Sequence, residues 1–227
     1  MPTDAISRRH FVAGSSIGIA AAMAGGGCAT GGNARGAGAA PVAGGPTGPF
    51  DTPREMIAAL DARGHLLRID RVDQDAYEGT ALMYRLVERH GLEGAPALLF
   101  EEVKIGGQWL RGPVIGNYLG PWDAECLALG LEPVPGDGKA TFRRARQHLI
   151  DLATRNGGRY PEIPPVEVPR ERALCKQVVL AGDAIDLTRF PFMQVNPADG
   201  GRYINTASVF TVDPKAGVNL GTYRCQL

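Results

Sequence analysis

Asn219-Leu220-Gly221-Thr222-Tyr223-Arg224 is the stretch of this sequence whose residue types best suit chemistry at a ligand. Asn219 offers a neutral, hard amide oxygen, a donor that suits Mn²⁺ or Mg²⁺ held against a phosphate. Gly221 lets a backbone approach a ligand closely, and inside a strand a glycine otherwise only weakens the structure. Arg224 carries a permanent charge on a planar fork that matches carboxylate geometry. It lies five residues after Asn219, so strand alternation puts the two on opposite faces unless the strand bends or bulges. Taken singly, Asn219 also suits a turn-stabilising role and Arg224 a solvated strand position. Asn205 and Ser208, on the segment before, are further polar candidates that the sequence leaves undecided. The histidines (His10, His65, His90, His148) and cysteines (Cys28, Cys126, Cys175, Cys225) are scattered, and no pair has C-x-x-C spacing. They imply neither a disulfide framework nor a metal site built from His and Cys alone.

The elements that must position this stretch can be read outward from it. Tyr203 to Val212 is rich in β-branched and aromatic residues and reads as a strand. Asp213-Pro214-Lys215-Ala216-Gly217 is turn chemistry, and Val218 to Gln226 reads as the returning strand. A lone hairpin is marginal in water, so more sequence is expected beyond Leu227. Gln177–Leu180 reads as another short strand. Before it, Pro161 to Pro169 holds four prolines in nine residues, a stiff connector at a domain boundary. We place that connector at 161–172 and the start of an incomplete, cofactor-binding β domain at 173–227.

Residues 50–160 read as an α/β domain, which makes the whole α+β. Thr52-Pro53-Arg54-Glu55 has the composition of a capping box, with Met56, Ile57 and Leu60 as an apolar stripe behind it. Leu66–Ile69 reads as a strand and Ala76–His90 as a helix with Leu82, Leu86 and Val87 on one side. Ala95–Phe100 is a continuous apolar run, hence a buried strand, and Gln108–Ile115 a further one. Helices are expected near Trp122–Leu129 and Thr141–Arg155. His148 and Glu88 fall on helices and receive no chemistry.

Charge is balanced, 24 Lys+Arg against 24 Asp+Glu, which gives no reason to expect nucleic acid as a partner. The head differs from the body. Ser7-Arg8-Arg9-His10-Phe11-Val12 sets an arginine pair before the uncharged stretch Phe11 to Met23, too short for a bilayer crossing of about 20 residues. Residues 1–28 therefore read as a twin-arginine signal peptide that sends the folded protein to the periplasm or beyond. Cys28 ends the apolar stretch as a lipid-anchored cysteine would, but Gly25 stands where such a site wants a Leu-like residue. Residues 29–49 are Gly/Ala/Pro-rich and read as a linker.

The Asn219–Arg224 stretch, preceded by a strand and a D-P turn, resembles the N-x-G-x-Y-R cofactor-binding element of the UbiD family of decarboxylases. Gly94-Ala95-Pro96-Ala97-Leu98-Leu99-Phe100-Glu101, Pro113-Val114-Ile115-Gly116-Asn117, and Gly182-Asp183-Ala184-Ile185-Asp186-Leu187 with Phe190-Pro191 resemble family segments in the same order. The resemblance covers about Pro53 to Leu227. It implies an N-terminal α/β domain followed by the opening strands of a split β-barrel akin to flavin reductases. It also implies reversible, non-oxidative decarboxylation of aromatic or α,β-unsaturated acids with prenylated FMN, manganese and potassium. Asn219 is then the metal ligand, Asn219, Leu220, Gly221, Thr222 and Arg224 touch the cofactor, and Arg224 is the catalytic arginine of a Glu-Arg-Glu network. The glutamates of that network, the remaining metal ligands and a dimer-forming C-terminal domain are expected outside these residues. The stretch alone is accordingly expected to be inactive. A flavin prenyltransferase is the implied cofactor supplier, and export after folding would let a cytoplasmically loaded enzyme work outside. The alternative is an exported, non-catalytic domain that binds flavin, phosphate or a partner.

Overall fold

The computed structural model describes residues 45–227, residue 165 excepted. The expected signal (1–28), Cys28 and most of the expected linker lie outside the described residues.

The first helix among the described residues, α1 (Pro53–Ala62), starts as its sequence requires. Thr52 accepts from the Glu55 N–H and proline occupies the first turn. The Glu55 carboxylate reaches back to the Asp51 N–H at 3.0 Å, one residue before the cap, so the box closes with a shifted partner. Strand β1 (Leu66–Asp73), helix α2 (Glu78–His90) and strand β2 (Ala97–Ile105) then form a β-α-β unit whose strands pair in parallel. Strand β3 (Gln108–Gly116) returns antiparallel to β2 through Gly106 and Gly107. Both glycines have positive φ, and both N–H groups donate to the Asp75 carboxylate at 2.7 and 2.8 Å.

Strand β2 is central, and its apolar run follows from that position. Leu98 and Phe100 pack with Leu86, Leu82, Met83 and Val87 of α2 on one side. Ala97 packs with Met56 and Leu60 of α1 on the other, together with Ala124 and Leu127 of the short helix α3 (Asp123–Ala128). A strand buried on both faces loses the apolar–polar alternation of a half-exposed one. The register slips between Phe100 and Glu102, where β3 presents Gly112 and Pro113. The extra residue lies in β3, and beyond that point Val103 and Ile105 of β2 join the cluster to which Leu98 and Phe100 belong. Helix α4 (Gly138–Arg155) is capped by Asp137 and packs on α3, with the Cys126 thiol donating to the Thr141 carbonyl at 3.3 Å.

Two expectations are corrected. Gln177–Leu180 is not a strand; it is exposed and follows single 3-10 turns at Arg170–Arg172 and Leu174–Lys176. Its apolar residues meet no partner strand among the described residues. The packed body also begins before Phe50. The Gly48 N–H donates to Leu127 at 2.7 Å, and the nearly buried Arg63 guanidinium, bidentate to Glu132 at 2.9 Å, also donates to the Gly45 carbonyl. That cation holds the Glu132 carboxyl below the usual range. Close backbone contact suits glycine here: a Cβ at Gly48 would lie 2.6 Å from the Ala128 oxygen. The described sheets are both open, one of three strands (β1-β2-β3) and one of two. The second pairs β4 (Tyr203–Asp213) with β5 (Gly217–Gln226). Among the described residues no helix is long and apolar enough to cross a membrane.

Candidate functional site

The hairpin carries every candidate residue. Asp213 closes its turn by accepting from the Lys215 and Ala216 N–H groups at 2.8 and 2.7 Å, and these bonds hold its carboxyl below the ordinary range. Asp213 is thereby committed to the turn. Pairing then runs without interruption from Asp213↔Gly217 to Ala207↔Tyr223 and resumes at Ile204↔Cys225. Two residues of β4, Asn205 and Thr206, thus stand against Arg224 alone, which is a bulge in β4. Strand β5 itself stays regular, so its alternation holds.

Asn219, Gly221 and Tyr223 consequently share one face, and Leu220, Thr222 and Arg224 the other. Side chains agree. A Cβ at Gly221 would lie 2.2 Å from the Tyr223 ring, so that ring covers Gly221 on the first face. The Arg224 guanidinium carbon lies 5.2 Å from the centre of the Tyr203 ring, and Tyr203 pairs with Gln226 on the second. Ser208 lies opposite Thr222 on this second face. Asn219 and Arg224 are therefore not brought to one face, and at about 3.4 Å per residue they stand roughly 17 Å apart along the strand. Only a ligand of that length, or one reached from both faces, would contact both.

The implied metal and cofactor can be tested against these residues. Asn219 is exposed and its amide makes no hydrogen bond among the described residues. Its one oxygen falls short of the six ligands that Mg²⁺ or Mn²⁺ takes, and no group of three or more His, Cys, Asp and Glu among the described residues is arranged to hold a metal. Arg224 is exposed and has no carboxylate within ion-pair distance among those residues. The two fit as parts of a metal–phosphate contact and an anion contact that other groups must complete. A second charged cluster, Asp70, Arg71, Glu101, Glu102 and Arg111, lines an open cleft on the three-stranded sheet. It is largely self-neutralised, with Arg71 on Glu102 at 2.6 Å and over the Trp109 ring.

Two motif segments read from the sequence prove to be scaffold. Asn117, at positive φ, donates to the Ala95 and Pro96 carbonyls at 2.9 and 3.1 Å, tying the end of β3 to the entry of β2. Asp186 caps the turn at Thr188, accepting from its N–H and hydroxyl. Gln74, Thr80 and Arg202 support the hairpin's root through polar bonds that sequence reasoning missed. A glutamine after a strand and a threonine in a helix's first turn carry no signal by type or spacing.

Comparison with known proteins places these features in a family. Residues 57–137 match the 3-octaprenyl-4-hydroxybenzoate carboxy-lyase N-terminal domain, and residues 166–227 the Rift-related domain of the same enzymes. The chain thus carries the N-terminal and Rift-related domains of the UbiD family. It is 31% identical over 179 residues to the phenolic acid decarboxylase of Sedimentibacter hydroxybenzoicus, covering 77% of this chain and 34% of that one. The structure of vanillic acid decarboxylase from the same organism, in open form, superposes with a TM-score of 0.62 at 30% identity. That match covers 78% of this chain and 35% of the other. The UbiD-class enzyme HmfF from Pelotomaculum thermopropionicum, an evolved dimeric form in complex with prFMN, shares the fold with a TM-score of 0.56 at 24% identity, covering 78% and 36%. The chain spans about a third of the length of the relatives it matches.

Proposed function

We propose that the full-length protein is a prenylated-FMN-dependent decarboxylase of aromatic or α,β-unsaturated carboxylic acids. The observation that carries this reading is strand β5, where Asn219 and Arg224 are exposed and, among the described residues, uncommitted to other polar groups, within a segment matched to the Rift-related domain. The β4–β5 hairpin is then the opening of a split β-barrel, with Asn219 and Gly221 reaching the cofactor from one face of β5 and Leu220, Thr222 and Arg224 from the other.

Each residue has a separate task. Asn219, at the turn end of β5, would offer its amide oxygen as one of the ligands of a divalent metal, manganese in this reading, that helps hold the cofactor. Potassium would be a further ion of the same site. Arg224, at the root of the strand, pairs with the substrate carboxylate and positions the acid that returns the proton. When bound, the prenylated flavin would supply the electron sink for the charge left on carbon as CO₂ departs. Gly221 keeps β5 thin where a ligand lies against it, provided the Tyr223 ring turns aside. A flavin prenyltransferase supplies the cofactor, and a C-terminal domain joins two copies.

Asn219→Ala is expected to lower flavin and manganese content in the purified full-length protein several-fold while its circular dichroism stays unchanged. Normal flavin and metal in that variant would remove the metal assignment. For location we propose export by the twin-arginine route, motivated by Arg8 and Arg9 ahead of a weakly apolar stretch. Residues 1–49 fused to a reporter should lose export when both arginines become lysine, and unchanged export would refute this.

A further inference from the structure

We propose that Gln74 and Thr80 are positioning residues that fix the β4–β5 hairpin on the α/β body. This rests on the reading of that hairpin as the cofactor-bearing element. Neither β4 nor β5 makes an extended contact with another described element, so its placement depends on the residues at its root.

Those residues, 190–203, form a self-braced strap. Arg202 donates to the Phe190 and Phe192 carbonyls, both at 2.8 Å. The Gln194 amide donates to the Asn196 and Asp199 carbonyls, and the Asp199 carboxylate accepts from the Asn196 N–H. The Tyr203 N–H, at the start of β4, donates to the Met193 carbonyl, and the Leu227 N–H, after β5, to the Arg202 carbonyl. Where the strap goes, the hairpin goes.

Among the described residues, the strap is held to the body at one place. Met193 packs against the cluster built on Leu98, Phe100 and Leu86. Beside it Gln74, only 4% exposed, donates to the Gln194 carbonyl at 2.9 Å and to the Thr80 hydroxyl at 3.1 Å. Thr80 in turn donates to the Val195 carbonyl at 2.7 Å. Two successive strap carbonyls are therefore captured by two side chains that also bond each other. Gln74 is fixed from behind, because its N–H donates to the Lys104 carbonyl at the end of β2. Gly79 leaves it room: a Cβ there would lie 2.9 Å from the Gln74 side-chain oxygen. That oxygen is itself buried without a hydrogen-bond partner in the structure. The buried amide thus spends both donor hydrogens on the latch.

The test uses the full-length protein and brief trypsin treatment read by mass spectrometry. Cleavage after Arg202 requires the strap to open, whereas Lys176 is exposed and serves as an internal control. Thr80→Val and Gln74→Glu remove donors at nearly constant shape and should speed cleavage after Arg202 by about tenfold. Thr80→Ser should behave like wild type, and cleavage after Lys176 should be unchanged throughout. The two loosened variants should also retain less flavin than wild type. Wild-type cleavage rates after Arg202 in Thr80→Val and Gln74→Glu would overturn the latch, as would equal effects of Thr80→Ser and Thr80→Val. Faster cleavage with undiminished flavin would overturn the positioning role. If wild type bound no flavin, the decarboxylase reading would fail by itself, and the cleavage rates would still decide the latch.

Discussion

Arg224→Ala in the full-length protein is expected to lower decarboxylation by about 10²–10³-fold, the cost of removing one group aimed at charge in a transition state. Flavin should stay bound. The loss would not come from unfolding, because the described structure gives Arg224 a single notable contact, the ring of Tyr203. An exposed cation–π pair contributes only about 0.5–1 kcal/mol. Arg224→Lys should recover little activity, since an ammonium lacks the planar fork that grips a carboxylate in two places. The check is kcat with flavin absorbance recorded on the same samples. A flavin-loaded Arg224→Ala enzyme of wild-type activity would remove the catalytic assignment.

The largest effect on stability is expected at Leu98. This side chain is fully buried in the central strand, opposite Gly116 and against α2. Truncation to alanine should cost about 3–5 kcal/mol from lost transfer energy and the cavity left behind. Against a total stability of about 5–15 kcal/mol, that leaves the body marginal. Leu220→Ala removes the same atoms from a site that is 59% exposed here, and in these residues taken alone it should cost under about 0.5 kcal/mol. Denaturant midpoints at unchanged slope measure both. Similar midpoints for the two variants would mean that β2 is not the core strand.

These two positions also show what a sequence can disclose. Leu98 stood in a continuous apolar run, which a strand covered on both faces makes stable. Thr52 and Glu55 disclosed a helix start because capping is local chemistry. Gln177–Leu180 misled because an apolar run shows what wants to be buried, without showing whether a partner strand is present. The head's composition hid the start of the body, since Gly45 and Gly48 are held by backbone contacts that glycine permits but does not announce. At the site, five-residue spacing posed the question of faces correctly. Its answer needed the register: the bulge lies at Asn205 and Thr206 of β4, so β5 stays regular and Asn219 and Arg224 part. Gln74 and Thr80 were illegible because their partners are main-chain carbonyls more than a hundred residues away. Such bonds leave no mark on side-chain type at the far end.

The most direct test of the central claim is CO₂ release by the full-length protein. It would be produced together with a flavin prenyltransferase, supplied with Mn²⁺, and offered a panel of aromatic and α,β-unsaturated acids. A bound flavin chromophore is expected, with CO₂ release from at least one acid that disappears in Arg224→Ala. A folded, flavin-loaded, manganese-replete protein that releases CO₂ from none of them, or one that never takes up flavin, would contradict it.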